Sequence, residues 1–133
     1  MWQKIVWMGL VLGLVSVISA SAQVVNPTTA VFTASTDHAA VQNGVMVVDG
    51  YSLDIMLGNA TGALALSISL GKPVPAANNE ITANVGGSFA KLLSGTYVAT
   101  VVAVGPGGSA RSVPSDPFVR LGVPVPPGKP SFR

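Results

Sequence analysis

Residues Thr96–Phe118 read "TYVATVVAVGPGGSARSVPSDPF" and contain the clearest strand and turn of the chain. One face of the first run carries Tyr97, Ala99, Val101 and Ala103, and the other carries Val98, Thr100, Val102 and Val104. Both faces are largely apolar, which is typical of a central strand. The "GPGG" that follows is typical of a turn, in which Gly105, Gly107 and Gly108 supply positive φ angles. The stretch therefore predicts a hairpin within an all-β fold.

The beginning of the chain has the pattern of an export signal. Lys4 supplies a positive charge, the run from Ile5 to Ile18 is apolar, and Ala20-Ser21-Ala22 matches an A-x-A cleavage box. We interpret residues 1–22 as a signal peptide and expect a secreted, periplasmic or extracellular protein. The alternative is a retained membrane anchor, but the apolar run is shorter than the roughly 20 residues that a spanning helix needs.

The composition after cleavage excludes several classes of function. Removing 22 of the 133 residues leaves 111, enough for one domain. Lys4 leaves with the signal, so six cations and five acids remain and the formal charge is +1. This charge is too small to favour nucleic acid or anionic lipid as a partner. With no cysteine in the chain, no disulfide stabilises the domain.

Two further strands are predicted by alternation of apolar and polar residues. In "YSLDIML", Tyr51–Leu57, the first, third, fifth and seventh residues share one face. In "ALALSISL", Ala63–Leu70, the four residues Leu64, Leu66, Ile68 and Leu70 do the same. The "GNATG" between these strands predicts a hairpin connection. The segment "EITANV", which contains Ile81, is expected to pair with the Thr96–Val104 strand.

Taken together, these segments resemble a fibronectin type III domain over roughly residues 28–120. The family's penultimate strand has the form Y-x-x-x-V-x-A after a leucine and a short turn, and Leu93, Tyr97, Val101 and Ala103 match it. The segment "VVDGYSLDIML" resembles its third strand, and "AVFTASTDH" its second, with Phe32 in the place of the usual core tryptophan. The resemblance implies an immunoglobulin-like β-sandwich in which Phe32 and Tyr97 are core anchors. It further implies a hydrogen bond from the Tyr97 hydroxyl to nearby backbone.

The start of the chain departs from the family. Only nine residues, Gln23–Val31, precede Phe32 in the mature chain, too few for a complete first strand and a turn. We therefore predict a short or missing first strand and an open edge on the strand at residues 29–35. The alternative is that Val24–Asn26 pairs with this edge as a stub. We also predict an exposed apolar patch on the outer face of the other sheet, formed by Val98, Val102, Val104 and Met56.

The chemistry-bearing residues favour loop positions over an active site. His38 is the only histidine, and we expect it and Asp37 in a loop. A calcium site at Asp37 and Asp49 would lack the D-x-D-x-D spacing. Ser109 and Ser112 have no base at a motif spacing, and Arg111 is expected to be a solvated charge. We predict no catalytic, cofactor or metal site, and hence no enzyme. Asn59-Ala60-Thr61 forms a glycosylation sequon.

The predicted organisation is a signal peptide at residues 1–22, a fibronectin type III-like domain at 23–120 and a Pro-rich tail at 121–133. Prolines at positions 124, 126, 127 and 130 favour an extended tail. Two functions remain open. One is a non-enzymatic interaction or adhesion module with a protein partner and no membrane span after cleavage. The other is a structural subunit that pairs with its own copies or a larger envelope protein through an open sheet edge.

Overall fold

The computed structural model describes residues 23–133, and the predicted signal peptide at residues 1–22 lies outside them. The described elements are β1 (Val24–Val25), β2 (Thr29–Thr33), β3 (Val41–Gln42), β4 (Val45–Met46), β5 (Gly50–Leu57), β6 (Leu64–Gly71), β7 (Glu80–Asn84), α1 (Gly86–Phe89), β8 (Gly95–Gly105), β9 (Gly108–Arg111) and β10 (Phe118–Arg120). The predicted all-β fold is confirmed. Among residues 23–133, no helix is long and apolar enough to cross a membrane.

The larger sheet forms around β5 and β8, which pair antiparallel from Gly50 opposite Val104 to Leu57 opposite Tyr97. The strand order is β1-β10-β8-β5-β6, and β9 also pairs with β8. β8 is central because both of its faces are apolar and become covered. The predicted β5–β6 hairpin and β8–β9 hairpin are confirmed.

The smaller sheet contains β2 and β7, which pair antiparallel from Thr29 opposite Asn84 to Thr33 opposite Glu80. The expected pairing of the Ile81 segment with the Thr96–Val104 strand is therefore wrong. The chain between β7 and β8 forms the short helix α1, and this connection carries it from one sheet to the other.

A small hairpin of β3 and β4 lies between β2 and β5 along the chain. Its two-residue turn is Asn43-Gly44, with φ angles of 51° and 77°. Positive φ at both central positions is the type I′ pattern, which asparagine followed by glycine adopts readily.

The core lies where side chains of the two sheets meet. One buried cluster contains Leu53, Ile55, Val85, Phe89, Leu92, Tyr97 and Phe118, and the other contains Ala34, Val48, Tyr51 and Ile81. The aromatic rings of Phe89 and Phe118 stack with their centroids 5.3 Å apart. The first cluster joins the larger sheet to the α1 connection and to half-buried Ala30 of β2, and the second joins Tyr51 of β5 to Ile81 of β7. Apolar burial between the sheets is therefore the main source of stability.

The predicted inward faces of β5 and β6 are confirmed except at their ends. Leu66, Ile68 and Leu70 pack against the core, but Leu64 is exposed. A register shift between Ile55 and Met56 places Leu66 opposite Ile55 and Leu64 opposite Met56. The extra residue moves Leu64 to the outer face of the sheet, because side chains alternate between faces.

The two predicted core anchors differ in burial. Tyr97 is buried as expected, whereas Phe32 is only half-buried. Phe32 packs edge-on against Tyr51, with ring centroids 5.3 Å apart. Its other side borders a cavity between the two sheets. Phe32 is therefore a partly covered member of the core.

The Tyr97 hydroxyl donates a hydrogen bond of 2.7 Å to the carbonyl oxygen of Leu93, four residues earlier. This is the predicted link to nearby backbone, and it holds the turn that precedes β8. The Leu93 side chain itself is exposed, and its neighbour Leu92 is buried.

We expect Tyr97→Phe to lower the free energy of unfolding by about 1 kcal/mol, the usual contribution of one such hydrogen bond. The ring and its packing are retained, so any loss of stability is due to the missing hydroxyl. Urea denaturation monitored by circular dichroism measures the change. A variant as stable as the parent would show that this hydrogen bond does not stabilise the fold.

The turn between β8 and β9 uses its glycines for different reasons. Gly108 has a φ of 131°, a conformation that other residues rarely adopt, so the predicted positive φ is confirmed there. The same prediction is wrong for Gly105 and Gly107, which have no positive φ. At Gly105, a Cβ atom would lie 1.9 Å from the carbonyl oxygen of Val47. Glycine is required there because two backbone segments approach closely.

Candidate binding edge and groove

The free edge of β2 exposes backbone groups that can pair with another strand. Ala34 donates its N–H to Asn79 at 2.9 Å, and the Thr28 carbonyl accepts from Val85 at 2.8 Å. The backbone N–H and C=O groups of the even-numbered residues of this segment therefore point toward β7. The N–H and C=O groups of Thr29, Val31 and Thr33 point the other way, and within residues 23–133 no strand pairs with them. The predicted open edge is thus present on the described chain.

The first strand does not cover this edge. β1 pairs in parallel with β10, with Val24 opposite Phe118 and Val25 opposite Val119. The alternative that Val24–Asn26 pairs with β2 as a stub is therefore wrong. Asn26 accounts for the placement, because its side-chain oxygen accepts hydrogen bonds from Arg120 at 3.0 Å and from the Leu121 N–H at 2.8 Å.

A groove lies between the β2 edge and the segment that follows β9. Its cavity has a volume of about 430 Å³. The floor is apolar and comprises Leu53, Val85, Phe89, Ala99 and Val101. Ala99 and Val101, on the inner face of β8, are only half-buried, because no further strand of residues 23–133 lies beside β2 to close this side.

A second cavity of about 340 Å³ continues the groove toward the end of β2. Phe32, Val101 and Ser112 line both cavities, so the two adjoin along β2 and together extend the groove. The groove is open to solvent along the edge of β2 and apolar along its floor. This combination fits an extended peptide, which pairs its backbone with the edge and places alternate side chains in the groove.

The opposite wall of the groove is already hydrogen-bonded. Ser112 accepts a bond from the Val101 N–H at 2.9 Å through its hydroxyl, and its own N–H donates to the Val101 carbonyl at 2.8 Å. Ser115 makes the same pair of bonds with Ala99, at 2.9 and 2.8 Å. Both serines lie in the irregular segment between β9 and β10, which takes the place of a continuous strand there.

The predicted outer apolar patch is wrong as an exposed surface. It was expected to comprise Met56, Val98, Val102 and Val104, but the first three are only 5%, 5% and 7% exposed, and Val104 alone is exposed. Arg111 lies opposite Val102, and its guanidinium donates hydrogen bonds to Thr100 and Asp54. Its side chain therefore crosses the middle of this face. The ion pair with Asp54 spans 2.9 Å, so Arg111, whose side chain is 52% exposed, is a solvated charge as expected but also has an acidic partner.

The remaining polar candidates lie in turns. His38 is in the turn after β2, as predicted, and its Nδ1 lies 2.7 Å from the Tyr51 hydroxyl. The same hydroxyl accepts the Ser35 N–H at 3.1 Å, so this contact fastens the loop to the core. In the sequon, the Asn59 side chain accepts bonds from the Thr61 N–H and hydroxyl, at 2.9 and 2.7 Å. Within the described chain, no group of three or more histidine, cysteine or acidic side chains could hold a metal ion.

Sequence reasoning identified the edge but missed the groove. The signal for the edge was the count of residues before Phe32. The groove depends on where β1 lies and on the serine contacts of the opposite wall, and neither has a sequence pattern that a single chain reveals. No family model matches the chain, and the searches of curated proteins and of solved structures found no significant match.

Proposed function

We propose that this chain is a non-enzymatic, exported protein-interaction module that binds an extended polypeptide segment at the β2 edge. The single observation that carries this proposal is the edge at Thr29, Val31 and Thr33, which no strand of the described chain pairs with and which lies beside an apolar groove. Strand edges bind through main-chain hydrogen bonds, and the adjoining pocket selects side chains. An exposed edge of this kind promotes aggregation unless a partner covers it, because its free backbone groups can pair with any available strand.

We further propose that the fold is an immunoglobulin-like sandwich of fibronectin type III type with its first strand displaced. The separation of the strands into β2–β7 and β6–β5–β8–β9 supports this assignment, because a sandwich of this type packs two antiparallel sheets face to face. Further support comes from the hydrogen bond between Tyr97 and Leu93 at the start of β8, the position of the tyrosine corner in such sandwiches. A fold of this kind hosts many functions, so the binding role rests on the edge and groove alone.

The export and non-enzyme parts of the proposal rest on the sequence. The pattern of residues 1–22 supports a mature chain that begins at Gln23 outside the cytoplasm. The lack of a base at motif spacing from any serine supports a binding role over hydrolysis.

A second candidate is a structural subunit that associates with copies of itself through the same edge. It is favoured by the tail at residues 121–133, where Val123 and Val125 are 93% and 89% exposed. Two such valines in one extended segment are candidates for burial in an apolar groove.

The test of the binding edge is Val31→Pro in the mature chain. The Val31 N–H points away from β7, so proline removes an edge donor and leaves the β2–β7 ladder intact. We expect this variant to remain folded and to lose its association, either with a host protein captured from the exported fraction or with itself in light scattering.

Val31→Ala is the matched control, because it shortens the same side chain but keeps the N–H. We expect it to associate like the parent. If a folded Val31→Pro variant associates as strongly as Val31→Ala, the β2 edge is not the binding site.

A further inference from the structure

We infer that the groove binds residues 123–126 of a second copy of this chain, "VPVP", as an added strand parallel to β2. This inference rests on the proposed function of the β2 edge and names its occupant. The observations that carry it are the alternation in the tail, the direction of β2, and the contacts that hold the start of the tail.

The tail segment has the backbone chemistry that an edge accepts. Val123 and Val125 alternate with Pro124 and Pro126. A residue before proline is disfavoured in the helical region and prefers extended backbone, so both valines are extended. Successive residues of a strand direct their N–H and C=O groups to opposite sides, so the valines can pair with β2 while the prolines face away. Proline is tolerated in an edge strand on the side that needs no donor.

Parallel pairing also places the valine side chains in the groove. In a parallel ladder, an edge residue bonds to the two residues that flank its direct partner. With Pro124 opposite Val31, the Val31 N–H donates to Val123 and the Val31 C=O accepts from Val125. Directly opposite residues share a face, and Val31 faces outward, so Pro124 also faces outward. Val123 and Val125 then point inward beside Ala30 and Phe32.

The ladder has a defined end. In this register Thr33 lies opposite Pro126, and its N–H donates to the Val125 carbonyl. The next tail residue, Pro127, has no N–H to return to Thr33, so pairing stops there. The added strand thus matches the length of β2. Antiparallel pairing, by contrast, would bury the prolines and leave the valines outside with Val31.

The tail of the same chain is poorly placed to bind this way. β2 runs in the direction of β8, because Ala30 packs in the cluster of Tyr97 and Phe32 in the cluster that contains Ala103. β10 is antiparallel to β8, so the tail leaves β10 in the direction opposite to β2.

The contacts at the start of the tail reinforce this. The N–H groups of Leu121 and Gly122 donate to Asn26 and Ser94, each at 2.8 Å. For the tail to run along β2 of its own chain, the backbone would have to reverse direction within the single residue Gly122. The shortest common hairpin loops use two residues. A second copy meets no such constraint.

The charges are compatible with this occupant. Among the described residues that line the two cavities, Asp116 and Arg111 are charged, and the Arg111 guanidinium is paired with Asp54. The tail carries Lys129 and Arg133 and no acidic residue. In the proposed register, Lys129 and Arg133 lie beyond the Thr33 end of β2, whereas Asp116 lies beside its start, so charge pairing contributes little to the docking.

Engineered cysteines test the register directly, because the chain has no cysteine of its own. One full-length mature chain carries Val31→Cys and a second carries Pro124→Cys. Directly opposite residues in neighbouring strands are about 4.8 Å apart, within the range of a disulfide. We expect the mixture to form the mixed disulfide dimer on mild oxidation. Ser131→Cys, which lies beyond the paired segment, replaces Pro124→Cys in the control and should give little mixed dimer.

Three outcomes would overturn the inference. If Val31→Cys alone forms the dimer as readily as the mixture, β2 pairs edge to edge with β2. If a chain with both substitutions closes an internal disulfide and stays monomeric, its own tail fills the groove. If no dimer forms while Val31→Pro still abolishes capture of a host protein, the proposed function stands and its occupant is another protein.

Substitution in the tail provides an independent measure. Val123→Asp in the full-length chain should weaken self-association in sedimentation by about tenfold or more, as expected from the loss of one buried valine. Phe132→Asp is the control, because Phe132 is equally apolar and exposed but lies outside the segment. Equal association of these two variants would exclude Val123 from the contact.

Discussion

Phe118→Ala is expected to lower the free energy of unfolding by about 3 to 5 kcal/mol, the usual cost of removing a buried phenylalanine ring. Phe118 is buried, and its ring stacks on Phe89 at 5.3 Å and on Tyr97 at 5.9 Å. It also starts β10, the strand that holds β1. A domain of this size has about 5 to 15 kcal/mol of stability, so the variant loses a large part of it.

Phe132→Ala provides the control for this substitution, because the Phe132 side chain is 95% exposed. Surface substitutions of this kind usually change stability by less than about 0.5 kcal/mol. Urea denaturation of both variants gives the comparison. Similar midpoints for the two variants would mean that Phe118 is not part of a packed core.

Gly105→Ala is expected to destabilise the protein by about 1 to 3 kcal/mol or more, the cost of forcing extra volume into a packed site. The added Cβ would lie 1.9 Å from the carbonyl oxygen of Val47. That neighbour is backbone, so the clash is relieved only by moving the segment before Val48, whose side chain belongs to the core.

Gly107→Ala is the matched control two residues away, because a Cβ at Gly107 meets no atom within 4 Å. We expect it to leave the melting temperature near that of the parent. Thermal melts of the two variants compare the positions. Equal melting temperatures would show that the close approach at Gly105 is not needed for folding.

The strands with strict alternation were predictable, and the departures have local causes. β5 and β8 follow directly from their period of two. The exposed position of Leu64 was not predictable, because an extra residue in a bulge leaves the hydrophobic pattern of "ALALSISL" unchanged. The turn at Asn43-Gly44 had a recognisable signal, but the flanking strands have only two residues each and show no period of their own.

Pairing between distant segments was less predictable than the strands themselves. The Ile81 segment is a strand as expected, but it pairs with β2. The chain crosses from one sheet to the other at α1, between this strand and β8, so the two strands do not form a hairpin. The open edge could be inferred from a count of residues. The groove could not, because it depends on side-chain contacts of Asn26, Ser112 and Ser115 with distant backbone.

The hydroxyl contacts of Ser112 and Ser115 make the two walls of the groove chemically unequal. On their side, the backbone groups of Val101 and Ala99 are already occupied, so among the described residues these two offer an entering segment no free backbone partner, whereas Thr29, Val31 and Thr33 on β2 do. Such a segment needs donors along one side of its backbone and none along the other. If the groove binds a peptide as proposed, a sequence with proline at every second position meets this requirement without losing a bond, and selection would act on where donors are missing as well as on which side chains fit.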